Sequence, residues 1–179
     1  MFRMKSICAA ATIFALGVSS SAFAANASNT VRFMGEVSEQ TCNIDLNGST
    51  TSPVVLLPTV SNSQLTSVGA TAGETPFTVT LSGCGPQVAN AGIVFISNHT
   101  EGVNLKNTAA TAPATNVAIQ LLEGPTVLDF VNNKAETAKQ SVGGSNTSAA
   151  FDLTARYVAT GVVTSGNVEA QAHFAVTYM

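Results

Sequence analysis

Tryptophan is absent from the 179-residue chain, and only two tyrosines occur, Tyr157 and Tyr178. Small-molecule pockets are lined largely by apolar and aromatic side chains, so a sugar-binding platform has little to draw on here. Charge is scarce as well: 9% of the residues are Asp, Glu, Lys or Arg, against roughly 25% in an average soluble domain. Seven basic residues against ten acidic ones leave a net charge of −3. That is too few cations to neutralise a phosphate backbone, which excludes nucleic acid as a partner. Histidine is limited to His99 and His173, with no metal-ligand spacing, and both are expected on solvated loops or outer strand faces. No nucleophile-elbow or phosphate-loop pattern is present, and nothing in the spacing of Asp129, Asp152 and Glu169 pairs them for acid–base work. The chain is therefore expected to be no enzyme and to hold no cofactor or metal.

Long apolar runs are also missing. The longest, residues 7–18, spans about 12 positions, short of the roughly 20 that a membrane-crossing helix needs. It follows Arg3 and Lys5 and leads to Ala22-Phe23-Ala24, the pattern of a secretory signal with its cleavage site. Residues 1–24 are expected to be removed, which leaves five basic and ten acidic residues and a net charge of −5. Cys8 leaves with the signal, so Cys42 and Cys84 remain, and in an exported chain these are expected to form one disulfide. Neither sits in a CxxC or beside a cation, so a redox or nucleophilic role is not expected.

What the chain has in abundance is uncharged polarity. It contains 22 Thr, 17 Ser and 14 Asn, enough to solubilise a domain whose mean hydropathy is +0.29 and which is therefore too apolar for disorder. Alternation at period two recurs: Val31, Phe33, Gly35 and Val37; Phe77, Val79 and Leu81; Val117, Ile119 and Leu121; Phe151, Leu153, Ala155 and Tyr157. The last such segment carries Ala170, Ala172, Phe174, Val176 and Tyr178. Residues 53–57 and 93–97 are short apolar runs, the second suited to a strand buried on both faces. Residues 104–116 and 132–149 read as loops with room for a helical turn. Short strands at this spacing predict an all-β sandwich. Two readings of the ends stay open: the domain is one strand short at its C-terminal end, where Tyr178 is followed by no closing turn, with a spare alternating segment ahead of Cys42, or that segment is an ordinary first strand pairing within its own sheet.

Several stretches then resemble one family. Residues 31–37 (VRFMGEV), Cys42, Cys84, residues 114–121 (ATNVAIQL), residues 151–161 (FDLTARYVATG) and residues 172–179 (AHFAVTYM) resemble, in order, the chaperone–usher pilins, most closely the major subunits of type 1-like fimbriae. The segment ahead of Val31 is short and lacks the paired glycines of close type 1 relatives. The resemblance implies an incomplete immunoglobulin-like β-sandwich whose missing last strand is supplied in trans. It implies a signal over residues 1–24, a donor-strand extension over 25–39 and a pilin domain over 40–179. Val31, Phe33, Gly35 and Val37 would be the donor positions, with Gly35 where the groove is too shallow for a side chain. Ala172, Phe174, Val176 and Tyr178 would form the groove-edge strand that a periplasmic chaperone recognises, with the Met179 carboxylate as its anchor. Implied partners are identical neighbouring subunits, the chaperone, an outer-membrane usher and, through the assembled fibre, a host surface. The implied location is a surface fimbria reached through the periplasm. The competing expectation is a secreted monomeric β-sandwich that binds a carbohydrate or another host-surface ligand.

Overall fold

The structure is a computed structural model that describes residues 42–51, 53–145 and 147–179. The expected signal, residues 1–24, and the expected donor positions Val31, Phe33, Gly35 and Val37 lie outside the described residues. In chain order the strands are β1 (Asn43–Leu46), β2 (Thr71–Ser82), β3 (Asn90–Ile96), β4 (Thr100–Glu101), β5 (Asn104–Lys106), β6 (Val117–Glu123), β7 (Thr126–Val127), β8 (Lys134–Glu136), β9 (Gln140–Ser141), β10 (Ala149–Ala159) and β11 (His173–Tyr178). One short 3-10 turn, Asn62–Gln64, lies between β1 and β2.

Among the described residues these strands form two antiparallel sheets. The first runs β1-β2-β10-β6-β5-β4, with β7 paired to β6; the second runs β11-β3-β8, with β9 also paired to β3. The alternation seen in the sequence is the reason they face each other. Phe77, Val79 and Leu81 on β2 and Phe151, Leu153 and Ala155 on β10 point into one core, against Ile93 and Phe95 of β3. Burying side chains of this size is worth roughly 1.5–3 kcal/mol each, which makes this shared face the main source of sheet-to-sheet cohesion. Cys42 and Cys84 are joined as a disulfide, as expected.

The structure adds local detail at four places. Strand β6 buries Val117, Ile119 and Leu121 on one face, as expected, and is buried on its other face as well. Its buried Gln120 donates to Asn104 Oδ1 (3.0 Å) and accepts from Arg156 Nε and Nη2 (3.0 and 2.7 Å), while Arg156 also pairs with Glu74 (2.8 Å). A buried amide is tolerable only when satisfied in this way. On β3, Ile96 faces outward while its neighbours are buried. Among the described residues of 104–116 and 132–149 no helical turn forms; residues 104–106 and 134–136 are strands instead. Asn132 and Asn133 adopt positive φ of 71° and 62°, a left-handed turn that asparagine accommodates and that delivers β8 to the edge of β3. Finally, residues 53–57 belong to no strand among the described residues. Pro53 and Pro58 donate no backbone N–H, and the segment faces an open groove rather than a partner strand.

Candidate functional site

The groove lies between two rims. One is the residue 53–57 segment, where Val55 and Leu57 turn inward and Val54 and Leu56 turn out. The other is the residue 168–178 segment, where Val168, Ala170, Ala172, Phe174, Val176 and Tyr178 are half-buried and the residues between them mostly exposed. Strand β11 pairs with β3 along one edge only, among the described residues. Its other edge faces the groove, so a ladder's worth of backbone donors and acceptors is left open to a further strand. The groove encloses about 800 Å³ and its floor is apolar: Leu46, Phe77, Phe95, Leu105, Ile119 and Leu121. The rings of Phe95 and Phe174 meet at 6.3 Å between centroids, linking floor and rim.

The expected groove-edge residues Ala172, Phe174, Val176 and Tyr178 therefore share one face beside the opening, and Met179 continues the pairing by exchanging backbone hydrogen bonds with Asn90 (3.1 and 2.9 Å). His99 and His173 are exposed, as expected. The three acids noted in the sequence are not brought together: Asp129 accepts from the Val131 N–H, Asp152 from the Thr78 hydroxyl, and Glu169 from the Gln171 amide.

Three contacts that shape the groove escape sequence reading. The Tyr178 hydroxyl accepts the Cys42 N–H (3.0 Å), so one end of the groove is tied to the disulfide. At the opposite end Asn107 uses its whole amide. Its Nδ2 donates to the Ala114 and Asn167 carbonyls (both 2.9 Å), and its Oδ1 accepts the N–H groups of Ala109 and Glu169 (both 3.0 Å). That fixes where the 168–178 rim begins. Tyr157, also lining the groove, is seated by Gly73. The pairing of β2 with β10 slips between Ala155 and Tyr157, and Gly73, at φ 68°, lies so close that a Cβ would stand 2.8 Å from the Tyr157 ring. A bulge with glycine in the left-handed region is the form that permits this approach.

Burial pushes the Tyr157 phenol above its ordinary value. The unfolded chain's phenol, near 10, ionises first. The stability this ring contributes is thus complete below that pH and is lost as pH rises through the folded value. Because the chain has no Trp and two Tyr, phenolate absorbance in Tyr178→Phe reads Tyr157 alone. Its titration midpoint is expected above that of the urea-unfolded chain, and higher again once the groove is filled. Coincident midpoints for folded and unfolded chains would refute the burial.

The groove is apolar and lies beside a strand edge unpaired among the described residues, and comparison with known proteins supplies the chain's family. Residues 31–179 match the family model described as "Fimbrial protein". The chain is 36% identical to a minor fimbrial subunit, HifD, of Haemophilus influenzae, over 83% of this chain and 73% of that one. It is 34% identical to the type-1 fimbrial protein A chain of Escherichia coli K12, over 92% and 93%. Among solved structures, the P pilus rod subunit PapA superposes with a TM-score of 0.58 at 15% identity, over 76% of this chain and 99% of that one, which identifies the immunoglobulin-like sandwich as a shared fold. The chain belongs to the fimbrial protein family.

Proposed function

We propose that this protein builds a surface fibre by lending residues 25–39 to the groove of an identical neighbour. The protein is a structural pilus subunit, and the observation that carries the mechanism is the apolar groove between two rims that lack a strand between them. Strand addition supplies main-chain hydrogen bonds for affinity and alternate side chains for specificity. Val31, Phe33 and Val37 alternate at the period needed to enter one face of such a groove, and Gly35 occupies the shallow position. Until a neighbour arrives, an open apolar groove beside an unpaired edge is an aggregation hazard. A periplasmic chaperone therefore covers it first, reading Ala172, Phe174, Val176, Tyr178 and the Met179 carboxylate, and an outer-membrane usher passes the subunit into the fibre. Residues 1–24 direct export, and residues 40–179 form the pilin domain. Contact with a host surface is made through the assembled fibre.

The test is a gel of unheated and boiled surface extract. Wild type is expected to give a ladder of detergent-resistant multimers that collapses on boiling. A chain lacking residues 25–38 should give none, and Gly35→Leu should stall assembly while leaving the subunit bound to its chaperone. A single monomer band from wild type under both conditions would overturn the proposal in favour of a monomeric binding sandwich.

A further inference from the structure

Two of the most exposed apolar side chains, Val68 and Val162, are 74% and 82% exposed and flank the same end of the sandwich. The Gly69 N–H donates to the Ala159 carbonyl (2.8 Å), and the Ala159 N–H donates to the Ala70 carbonyl (2.9 Å). The chain entering β2 and the chain leaving β10 thus run side by side there. Ala70 and Val163, beside the exposed pair, pack into a small cluster with Leu65, Ala159 and Val168. Val168 opens the groove rim, so the exposed valines mark the Val168 end. The other end is held by Cys42 and Tyr178. Ten residue steps separate Val168 from Tyr178, about 33 Å in an extended chain.

Chain length then limits where a neighbour can stand. Five Cα steps join Val37 to Cys42, a reach of at most about 18 Å. Once the arm of one copy lies in the groove of another, the donor's Cys42 end must stand within that reach of Val37. Every strand ladder among the described residues is antiparallel, and antiparallel pairing is the more stable per residue. An arm laid antiparallel to β11 runs from the Tyr178 end to the Val168 end. Val37 then points toward the end that carries Val68 and Val162, and the reach from Val37 to Cys42 lets the donor's body stand against them. The receiving end suits a second copy of an acidic chain: no residue from 46 to 73 or from 157 to 168 is charged, so no like-charge repulsion arises from those segments.

We propose that Val68 and Val162 form a body-to-body contact between successive copies of this chain, covered by the Cys42 end of the copy whose arm fills the groove. The proposal rests on the donor-strand reading and adds a second contact at each joint, one that stiffens the fibre rather than holding it together.

The test compares purified fibres of wild type, Val68→Lys/Val162→Lys and Val131→Lys, the last being an exposed valine on the loop leading into β8. The double variant is expected to retain the detergent-resistant ladder but to lose straight fibres in electron micrographs, with a fall in persistence length. Val131→Lys should match wild type. Double-variant fibres as stiff as wild type would overturn the contact. A ladder lost from a variant that circular dichroism shows to be folded would overturn it too, because the valines would then serve strand insertion. So would weaker capture by the chaperone, which would make the chaperone the occupant. If lysine prevents folding, Val68→Ser/Val162→Ser carries the same comparison. Absence of a ladder in wild type itself would instead defeat the donor-strand reading.

Discussion

Replacing Cys42 or Cys84 with serine is expected to remove about 4 kcal/mol of stability, the value chain entropy assigns to a closed loop of this size, given a separation of 42 residues. Domains of this kind hold roughly 5–15 kcal/mol in total, so the loss takes a large share. The effect reaches the groove because Cys42 bonds Tyr178 through its backbone N–H, and a loosened Cys42 deprives that end of β11 of its tie to the disulfide. Recovered subunit should fall sharply, and the thermal midpoint of what remains should drop to that of reduced wild type. Unchanged yield and midpoint in Cys84→Ser would show that the disulfide does not support the fold.

The second large effect comes from filling the groove within one chain. A variant lacking residues 25–38, with a copy of residues 30–38 joined behind Met179 through a four-residue turn, can place that copy beside β11 only in the antiparallel sense, as a tight turn requires. It should remain monomeric and need no partner. Burying Val31, Phe33 and Val37 contributes roughly 5–9 kcal/mol before the cost of ordering the strand. Retaining half of that would raise the thermal midpoint by about 10 °C over the chain that merely lacks the arm. Phe33→Ser in the added strand should lose much of the gain. No gain from the unaltered strand would mean that the groove does not accept this segment in this orientation.

The parts of the molecule legible in the sequence are those where one residue's environment follows from its neighbours along the chain. Phe151, Leu153 and Ala155 alternate and are buried on one face. Ala172, Phe174, Val176 and Tyr178 alternate and share one half-buried face, with Ala172 and Phe174 lining the opening. Residues 53–57 announced their apolar character but not their state, since whether a segment counts as a strand depends on a partner that the chain does not place beside it. The short strands β5 and β8 hide in polar stretches because β6 and β3, not local propensity, call them into a sheet. Asn107 reads as one more loop asparagine among 14, and nothing local shows that its amide closes four hydrogen bonds. The aromatic character of Tyr178 was legible, whereas its hydroxyl partner lies 136 residues away.

That partner gives Cys42 a mechanical role. Were copies linked by arms as proposed, tension carried by the arm would reach Cys42, whose partners lie in both sheets. The covalent bond to Cys84 passes part of the load to the end of β2, in the first sheet, while the N–H bond to Tyr178 passes part to β11, in the second. Tension is thus shared between both layers of the sandwich at the point of entry.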